Sequence, residues 1–131
     1  PNTIARLAAG TLDAATLADD TLTRIDAHEA ALGAFTALLP HDTARREAAT
    51  AQRERCGPLH GLPVSIKDLI DVANVRTTHG SHIFADNVAA ADGVTPARLR
   101  AAGAILIGKT TTPEFGHKGL TDSPLQGVTR N

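Results

Sequence analysis

The chain has 131 residues, with 13 Lys and Arg against 14 Asp and Glu, so its formal net charge at pH 7 is -1. This balance gives no electrostatic reason to expect nucleic acid or an anionic membrane surface as a partner. Hydrophobic residues make up 42% of the chain, yet it contains no Trp, Tyr or Met and only three Phe. Because a core must then be built from Ala, Leu, Ile and Val, we expect close packing of small side chains.

The only cysteine is Cys56, which excludes a disulfide within the chain and suits a reducing compartment. We therefore expect a cytoplasmic protein. Cys56 follows Arg-Glu-Arg at a predicted helix end, a position that favours an ordinary structural or exposed thiol over a catalytic one. No segment approaches the roughly 20 apolar residues that a membrane span requires, so no membrane partner is expected.

The first part of the chain is predicted to be mainly helical. Apolar residues recur at three- and four-residue steps, which predicts an amphipathic helix over about 12–31, ended by Gly33. The apolar run Phe35 to Leu39 predicts either a short strand or a packed extended connection. A second helix is expected over about 43–55, with Asp42 as its N-cap.

The second part alternates strand and helix. A β-branched apolar run predicts a strand over 63–72, and a helix is expected over 96–102 with Thr95 as its N-cap. A short apolar stretch then predicts a buried strand over 104–108. This strand, helix, strand order favours a right-handed parallel crossover, so the fold class is α/β.

Lys67 lies inside the apolar run 63–72, where a cation is unusual. Strand alternation places Ile66 on one face and Ser65, Lys67 and Leu69 on the other. We therefore expect a buried or half-buried amine. Burial disfavours the ammonium form, and a neutral amine can take a proton from a hydroxyl. The alternative, a lysine that snorkels at a sheet edge, stays open.

Four blocks of sequence, taken in chain order, resemble the amidase signature family. They are GPLHGLPVSIKDLIDV at 57–72, TTHGS at 77–81, GVTPARLRAAGAILIGKTTTPEF at 93–115 and TDSPLQGVTRN at 121–131. The resemblance implies the N-terminal part of the amidase signature fold, a mixed sheet surrounded by helices. Residues 1–131 would then be an N-terminal fragment of a single larger amidase domain, with a helical region over 1–56 and the start of the signature core over 57–131.

The same resemblance implies an activity. Family members hydrolyse amides with a Ser, cis-Ser, Lys triad, and Lys67 occupies the position of the catalytic lysine. Both serines are expected beyond this chain, so the fragment alone is expected to be inactive. The complete protein is expected to hydrolyse a non-peptide carboxylic amide through an acyl-serine intermediate, with Lys67 as general base. The implied partner is a small-molecule amide; no cofactor and no metal is implied, and a homodimer stays open.

Two alternatives to the hydrolase stay open within this resemblance. One is the A-type subunit of a tRNA-dependent amidotransferase, which passes ammonia to a partner rather than releasing it. The other is a non-catalytic fragment. A stable co-purifying protein would distinguish the first of these from a hydrolase.

A second motif points to different chemistry. Residues Gly103 to Thr110 match G-x-x-x-x-G-K-[ST], the phosphate-binding loop of NTPases. That loop requires a strand before the first glycine and a helix beginning at the lysine. Here a predicted helix precedes Gly103 and a predicted strand fills the variable positions. We therefore expect Lys109 to be a strand-end lysine rather than a phosphate ligand.

The remaining polar residues near Lys67 favour structural roles. Asp68 falls on the apolar face, where a carboxylate must be hydrogen-bonded or paired. We expect it to hold a loop or to tune Lys67. The segment Thr78 to Ser81 matches the family's T-x-G-S loop, and we expect it to shape the loop first and to contact substrate second. His79 and His82 are three apart, but no third ligand is in view for a metal site.

Overall fold

The computed structural model describes residues 2–130, so Asn131, the last residue of the fourth sequence block, lies outside it. The fold is mixed α/β, as the sequence predicts. Its main elements in chain order are α1 (Thr3–Ala8), α2 (Ala14–Leu32), β1 (Phe35–Leu38), α3 (His41–Glu54), β2 (Pro63–Lys67), α4 (Val94–Ala101), β3 (Ile105–Thr110), β4 (Asp122–Ser123) and β5 (Gly127–Val128). Within the described residues, no helix combines the length and apolarity needed to cross a membrane.

The helix predicted over 12–31 is confirmed as α2. It begins after Asp13, whose carboxylate accepts hydrogen bonds from the backbone of Ala15 and Thr16 at 2.7 and 3.0 Å. It ends at Gly33, which adopts the left-handed conformation with φ of 58°. Both ends are therefore determined by local chemistry that the sequence displays, a capping carboxylate and a glycine.

The N-caps predicted for α3 and α4 are wrong. Helix α3 begins at His41 after Pro40, and Asp42 lies in its first turn. Helix α4 begins after Gly93, and Thr95 lies inside it. The residues that precede these helices make no side-chain capping bond. The chain thus enters both helices through its backbone conformation alone, which leaves no capping side chain to be recognised in the sequence.

The sheet has three strands in the order β1-β3-β2, with β3 in the centre. Strand β2 runs parallel to β3, which confirms the predicted parallel pairing, and β1 runs antiparallel to β3. Strand β2 ends at Lys67, so the alternation predicted as far as residue 72 is wrong beyond that point. One further bond to β3 follows, from Asp68 N to Thr110 O at 2.9 Å, and the strand then ends because the chain turns, with Ile70 N donating to Lys67 O at 3.0 Å.

A β-bulge interrupts the pairing of β2 with β3. Leu106 and Gly108 pair with consecutive residues of β2, so Ile107 between them has no partner there. Residues that oppose each other in a ladder project to the same face of the sheet. Lys109, which opposes Ile66, therefore lies on the face of Ile66, although simple alternation along β3 would put it with Ile107.

The core forms two clusters, one on each face of β3. Alanines from α2 and α3 dominate the first cluster, which confirms the expected close packing of small side chains. Its buried members are Ala18, Leu22, Ala44, Ala48, Ile105 and Ile107. The second cluster contains Ile66, Val72 and Leu106. Because Ile66 belongs to the second cluster, the end of β2 packs against the core on that face.

Candidate active site around Lys67

Lys67 is the last residue of β2, and its side chain is exposed among the described residues. The expected burial of its amine is therefore wrong for residues 2–130. Alternation indicates which face a side chain occupies, but not whether another part of the protein covers that face. Lys67 Nζ donates one hydrogen bond, to Thr111 O at 3.4 Å, and this contact joins the end of β2 to the segment that follows β3.

The buried lysine of this region is Lys109, not Lys67. Its side chain is 1% exposed and forms an ion pair with Asp68, which is 0% exposed, with Nζ and Oδ1 3.0 Å apart. Lys109 Nζ also donates to Thr77 Oγ1 at 2.8 Å and to Arg76 O at 3.3 Å. These three acceptors match the three donors of an ammonium group. Lys109 lies at the end of β3, as expected. Its burial was not expected, and it follows because the bulge turns the side chain inward.

The carboxylate of Asp68 is hydrogen-bonded on several sides. It accepts from the backbone N–H of Thr78 at 3.2 Å, from Thr78 Oγ1 at 2.5 Å and from Gln126 Nε2 at 3.2 Å. The prediction that Asp68 must be hydrogen-bonded or paired is confirmed, and its ionic partner is Lys109. A buried charge with this set of partners is tolerated. The carboxylate also holds the loop of Thr78 and the segment of Gln126 against the end of β2.

The T-x-G-S loop is fastened from both sides. Gly80 has φ of +67°, and its N–H donates to Thr78 Oγ1 at 3.1 Å. A Cβ at this glycine would lie 2.7 Å from Thr112 O, so the loop approaches that backbone closely. Ser81 Oγ donates to Glu114 Oε1 at 2.7 Å. These contacts agree with a loop-shaping role, while substrate contact stays a prediction.

The histidine of this loop packs against aromatic rings rather than against other metal-ligating groups. The ring of His79 stacks on Phe115 with centroids 6.2 Å apart and meets Phe84 edge-on at 5.2 Å. Across residues 2–130, no three His, Cys, Asp or Glu side chains form a group that fits a metal ion. Cys56 is exposed, as expected.

The phosphate-loop motif lies between a helix and a strand, as the sequence predicts. Nucleotide-binding loops lie in the opposite order. Gly103 follows helix α4 and precedes strand β3. A phosphate loop needs the reverse, a strand followed by a helix whose N-terminus faces the phosphate. The motif lysine, Lys109, is engaged by Asp68 instead.

Sequence reasoning missed the Lys109–Asp68 pair and the contribution of Gln126. A signal for the pair was present, since two residues of opposite charge lay in or beside two apolar strands that were expected to be parallel neighbours. Each charge alone would be costly to bury, and pairing satisfies both. Gln126 offered no comparable signal, because its contact with Asp68 spans 58 positions of the chain.

The comparisons with known proteins identify the class. The family model named Amidase matches residues 16–131. The chain therefore belongs to the amidase family, as the four sequence blocks indicate.

Among individual relatives, the chain is 39% identical over 132 residues to an acylamidase of Rhodococcus erythropolis, covering 97% of this chain and 28% of the relative. It is also 39% identical over 128 residues to the A-type subunit of the glutamyl-tRNA(Gln) amidotransferase of Symbiobacterium thermophilum, covering 94% of this chain and 26% of the relative. A solved structure, the native peptide amidase of Stenotrophomonas maltophilia, superposes with a TM-score of 0.84 at 37% identity, over 97% of this chain and 28% of that chain. The chain thus spans little more than a quarter of these relatives.

Proposed function

We propose that the complete protein hydrolyses a non-peptide carboxylic amide, with Lys67 as the general base and two serines that lie outside this chain. The observation that carries the proposal is the contrast between two lysines. The Lys109 ammonium has three acceptors and a buried counter-ion. Lys67 presents an exposed amine with one hydrogen bond, at the end of a strand that is anchored from its other face. Similarity to a protein named acylamidase supports the reaction class.

The proposed chemistry divides amide cleavage into two steps. The amine of Lys67 takes a proton through the cis-serine from the nucleophilic serine, whose oxygen then bonds to the amide carbonyl carbon. The C–N bond breaks as the proton returns through the same relay to the leaving amine. Water, activated in the same way, then hydrolyses the acyl-serine. Lysine here takes the role that histidine has in the Ser-His-Asp triad.

We also propose that residues 1–131 are the N-terminal fragment of one larger amidase domain, with a helical region over 1–56 and the start of the core over 57–131. The coverage of the relatives supports this, since the three named above are aligned over 26% to 28% of their length. The position of β2 at the edge of the sheet supports it as well, because a longer chain can supply the strand that pairs with it.

The substitution Lys67→Met in the complete protein tests the assignment of the base. It keeps much of the side-chain volume and removes the amine. We expect kcat/KM for a panel of aliphatic and aromatic amides, measured as released ammonia or amine, to fall by several powers of ten. Lys118→Met is the matched control, because Lys118 is a partly exposed lysine paired with Asp122. Unchanged kcat/KM in the Lys67 variant would remove Lys67 from the mechanism.

The amidotransferase subunit is the second candidate, favoured by an identity of 39% to the A-type subunit of a glutamyl-tRNA(Gln) amidotransferase. Such a protein would deliver ammonia to a partner instead of releasing it. Gentle purification of the complete protein from its source, followed by size-exclusion chromatography and mass spectrometry, separates the two. Stoichiometric partner proteins and glutamine-dependent amidation of an aminoacyl-tRNA would favour the amidotransferase. A single species, monomeric or homodimeric, that releases ammonia from simple amides would favour the hydrolase. We place either enzyme in the cytoplasm.

A further inference from the structure

We infer that the buried ion pair between Lys109 and Asp68 positions Lys67 for proton transfer, by fixing the end of β2 from the face opposite the amine. Lys109 and Asp68 are positioning residues in this scheme and touch neither substrate nor the reacting atoms. The inference rests on the proposed function, because it assigns a role to these residues only if Lys67 is the base.

The geometry supports it first through the positions of the three residues. Asp68 follows Lys67 directly in the chain and pairs with Lys109, which lies on the face of Ile66. Lys67 neighbours Ile66 within β2 and so projects to the opposite face. The ion pair therefore holds the backbone on one face while Lys67 extends from the other. The backbone at this point is bonded to the end of β3, because Asp68 N donates to Thr110 O at 2.9 Å. The Lys67 amine itself donates to Thr111 O, just after β3, at 3.4 Å.

The second step concerns why an ion pair occupies this place. A buried ion pair adds little net stability over an apolar pair of similar volume, because both charges lose their hydration. What distinguishes the ion pair from apolar packing is that its hydrogen bonds hold the two side chains in one orientation. Lys109 has three acceptors, and the Asp68 carboxylate accepts from Thr78 and Gln126 as well as from Lys109. The ammonium and the carboxylate are thus each held by several directional bonds, and a polar pair held in this way rigidifies its surroundings more than apolar packing does.

The bulge in β3 is the third step. Without it, Lys109 would project to the face of Ile107 and could not reach Asp68. Bulges of this kind re-aim side chains and are over-represented beside active sites. Ile107 has no partner in β2, so one regular pairing is lost at the bulge. The same bulge brings Lys109 next to Asp68, the residue that follows the proposed base.

The test uses the complete protein with two variants, Lys109→Met alone and Lys109→Met combined with Asp68→Asn. The single variant leaves a buried carboxylate without its counter-ion and can fail to fold. The double variant removes both charges, keeps the side-chain volumes and deletes the link between the strands. We expect kcat of the double variant to fall by about 10- to 100-fold with KM within about twofold, because small misplacements of a reacting group reduce rates on this scale.

A second readout separates positioning from folding. The rate at which a fluorophosphonate probe labels the nucleophilic serine reports activation by the base and does not depend on binding of the amide substrate. We expect this rate to fall in parallel with kcat, at a temperature at which circular dichroism shows the variant to be fully folded. Wild-type kcat and labelling rate in the folded double variant would overturn the inference.

Arg45→Met is the matched control for the loss of an ion pair. Arg45 Nε lies 2.7 Å from Asp19 Oδ1 on the outer side of the helices, and both side chains are about half exposed. Its hydrogen bond with Asp19 raises the pKa of Arg45 above the usual value. We expect wild-type kcat and labelling in this variant. If Lys67→Met is inactive while the double variant is normal, only the positioning inference fails. If Lys67→Met is fully active, both the proposed role of Lys67 and the positioning inference fail.

Discussion

The hydroxyl of Thr78 joins three segments of the chain. It donates to Asp68 Oδ2 at 2.5 Å and accepts from Gln126 Nε2 at 2.8 Å and from Gly80 N at 3.1 Å. The residue is 1% exposed, so water has little access to replace a lost partner. Each of these groups would then carry the cost of an unmade hydrogen bond.

Thr78→Val tests how much this hydroxyl contributes to stability. The change keeps the branched shape and removes the hydrogen bonds, and we expect the free energy of unfolding of the complete protein to fall by about 1 to 3 kcal/mol. Thr23→Val, at an exposed position of α2, is the matched control and should change it by less than about 0.5 kcal/mol. Urea denaturation measures both. Equal effects of the two substitutions would show that the Thr78 network adds nothing to stability.

At the same scale, the site could be predicted only in part. Alternation correctly grouped Lys67 with Ser65, since both are exposed, and the chemistry of a carboxylate among apolar residues correctly required a partner for Asp68. The burial of Lys67 could not be obtained this way, because it depends on what covers the face. The partner of Asp68 could not be named either, because Lys109 reaches it only through a bulge that alternation does not foresee.

At the scale of the elements, the pairing of β1 with β3 requires a glycine at position 108. A Cβ built on Gly108 would lie 2.6 Å from Ala37 O and 3.0 Å from the ring of Phe35. The first distance is shorter than side-chain contacts allow, and its partner is backbone that cannot rotate away. Strand β1 can therefore pair with β3 at this distance only because residue 108 is glycine.

Gly108→Ala is expected to push β1 away from β3 and to lower the free energy of unfolding of the complete protein by about 1 to 3 kcal/mol, as overpacking does. Gly119→Ala is the matched control, because a Cβ there would have no atom within 4 Å. Thermal unfolding followed by calorimetry compares the two variants. A Gly108 variant that melts with the control would mean that the strands separate without cost.

Elements whose ends depend on local chemistry were the ones that the sequence predicted well. Helix α2 has a capping Asp13 and a terminal Gly33, and both are visible in the sequence. Helix α1 has six residues, too few for a periodic pattern to be recognised. Strands β4 and β5 have two residues each and exist through their pairing. Elements this short leave too little pattern in the sequence to be recognised.

For the molecule as a whole, the sheet of residues 2–130 has two unpaired edges, one on β1 and one on β2. Open strand edges offer backbone groups to other chains unless they are covered. Several large apolar side chains in the same range are also exposed, among them Ile83 at 79% and Leu120 at 75%. Both features are expected of a portion of a larger domain and are unfavourable for a separate one.

We therefore expect residues 1–131, produced alone, to unfold without a cooperative transition and to hydrolyse no amide, because neither the edges nor the proposed base have their partners. Urea titration followed by circular dichroism and a proton–nitrogen correlation spectrum test the first part, with the complete protein as control. The amide panel tests the second. A sharp transition with dispersed amide signals would contradict the fragment proposal, since the 131 residues would then form a domain. If residues 1–131 alone hydrolyse an amide and Lys67→Met abolishes this activity, the placement of both serines outside the chain is contradicted, because an acyl-enzyme needs its nucleophile.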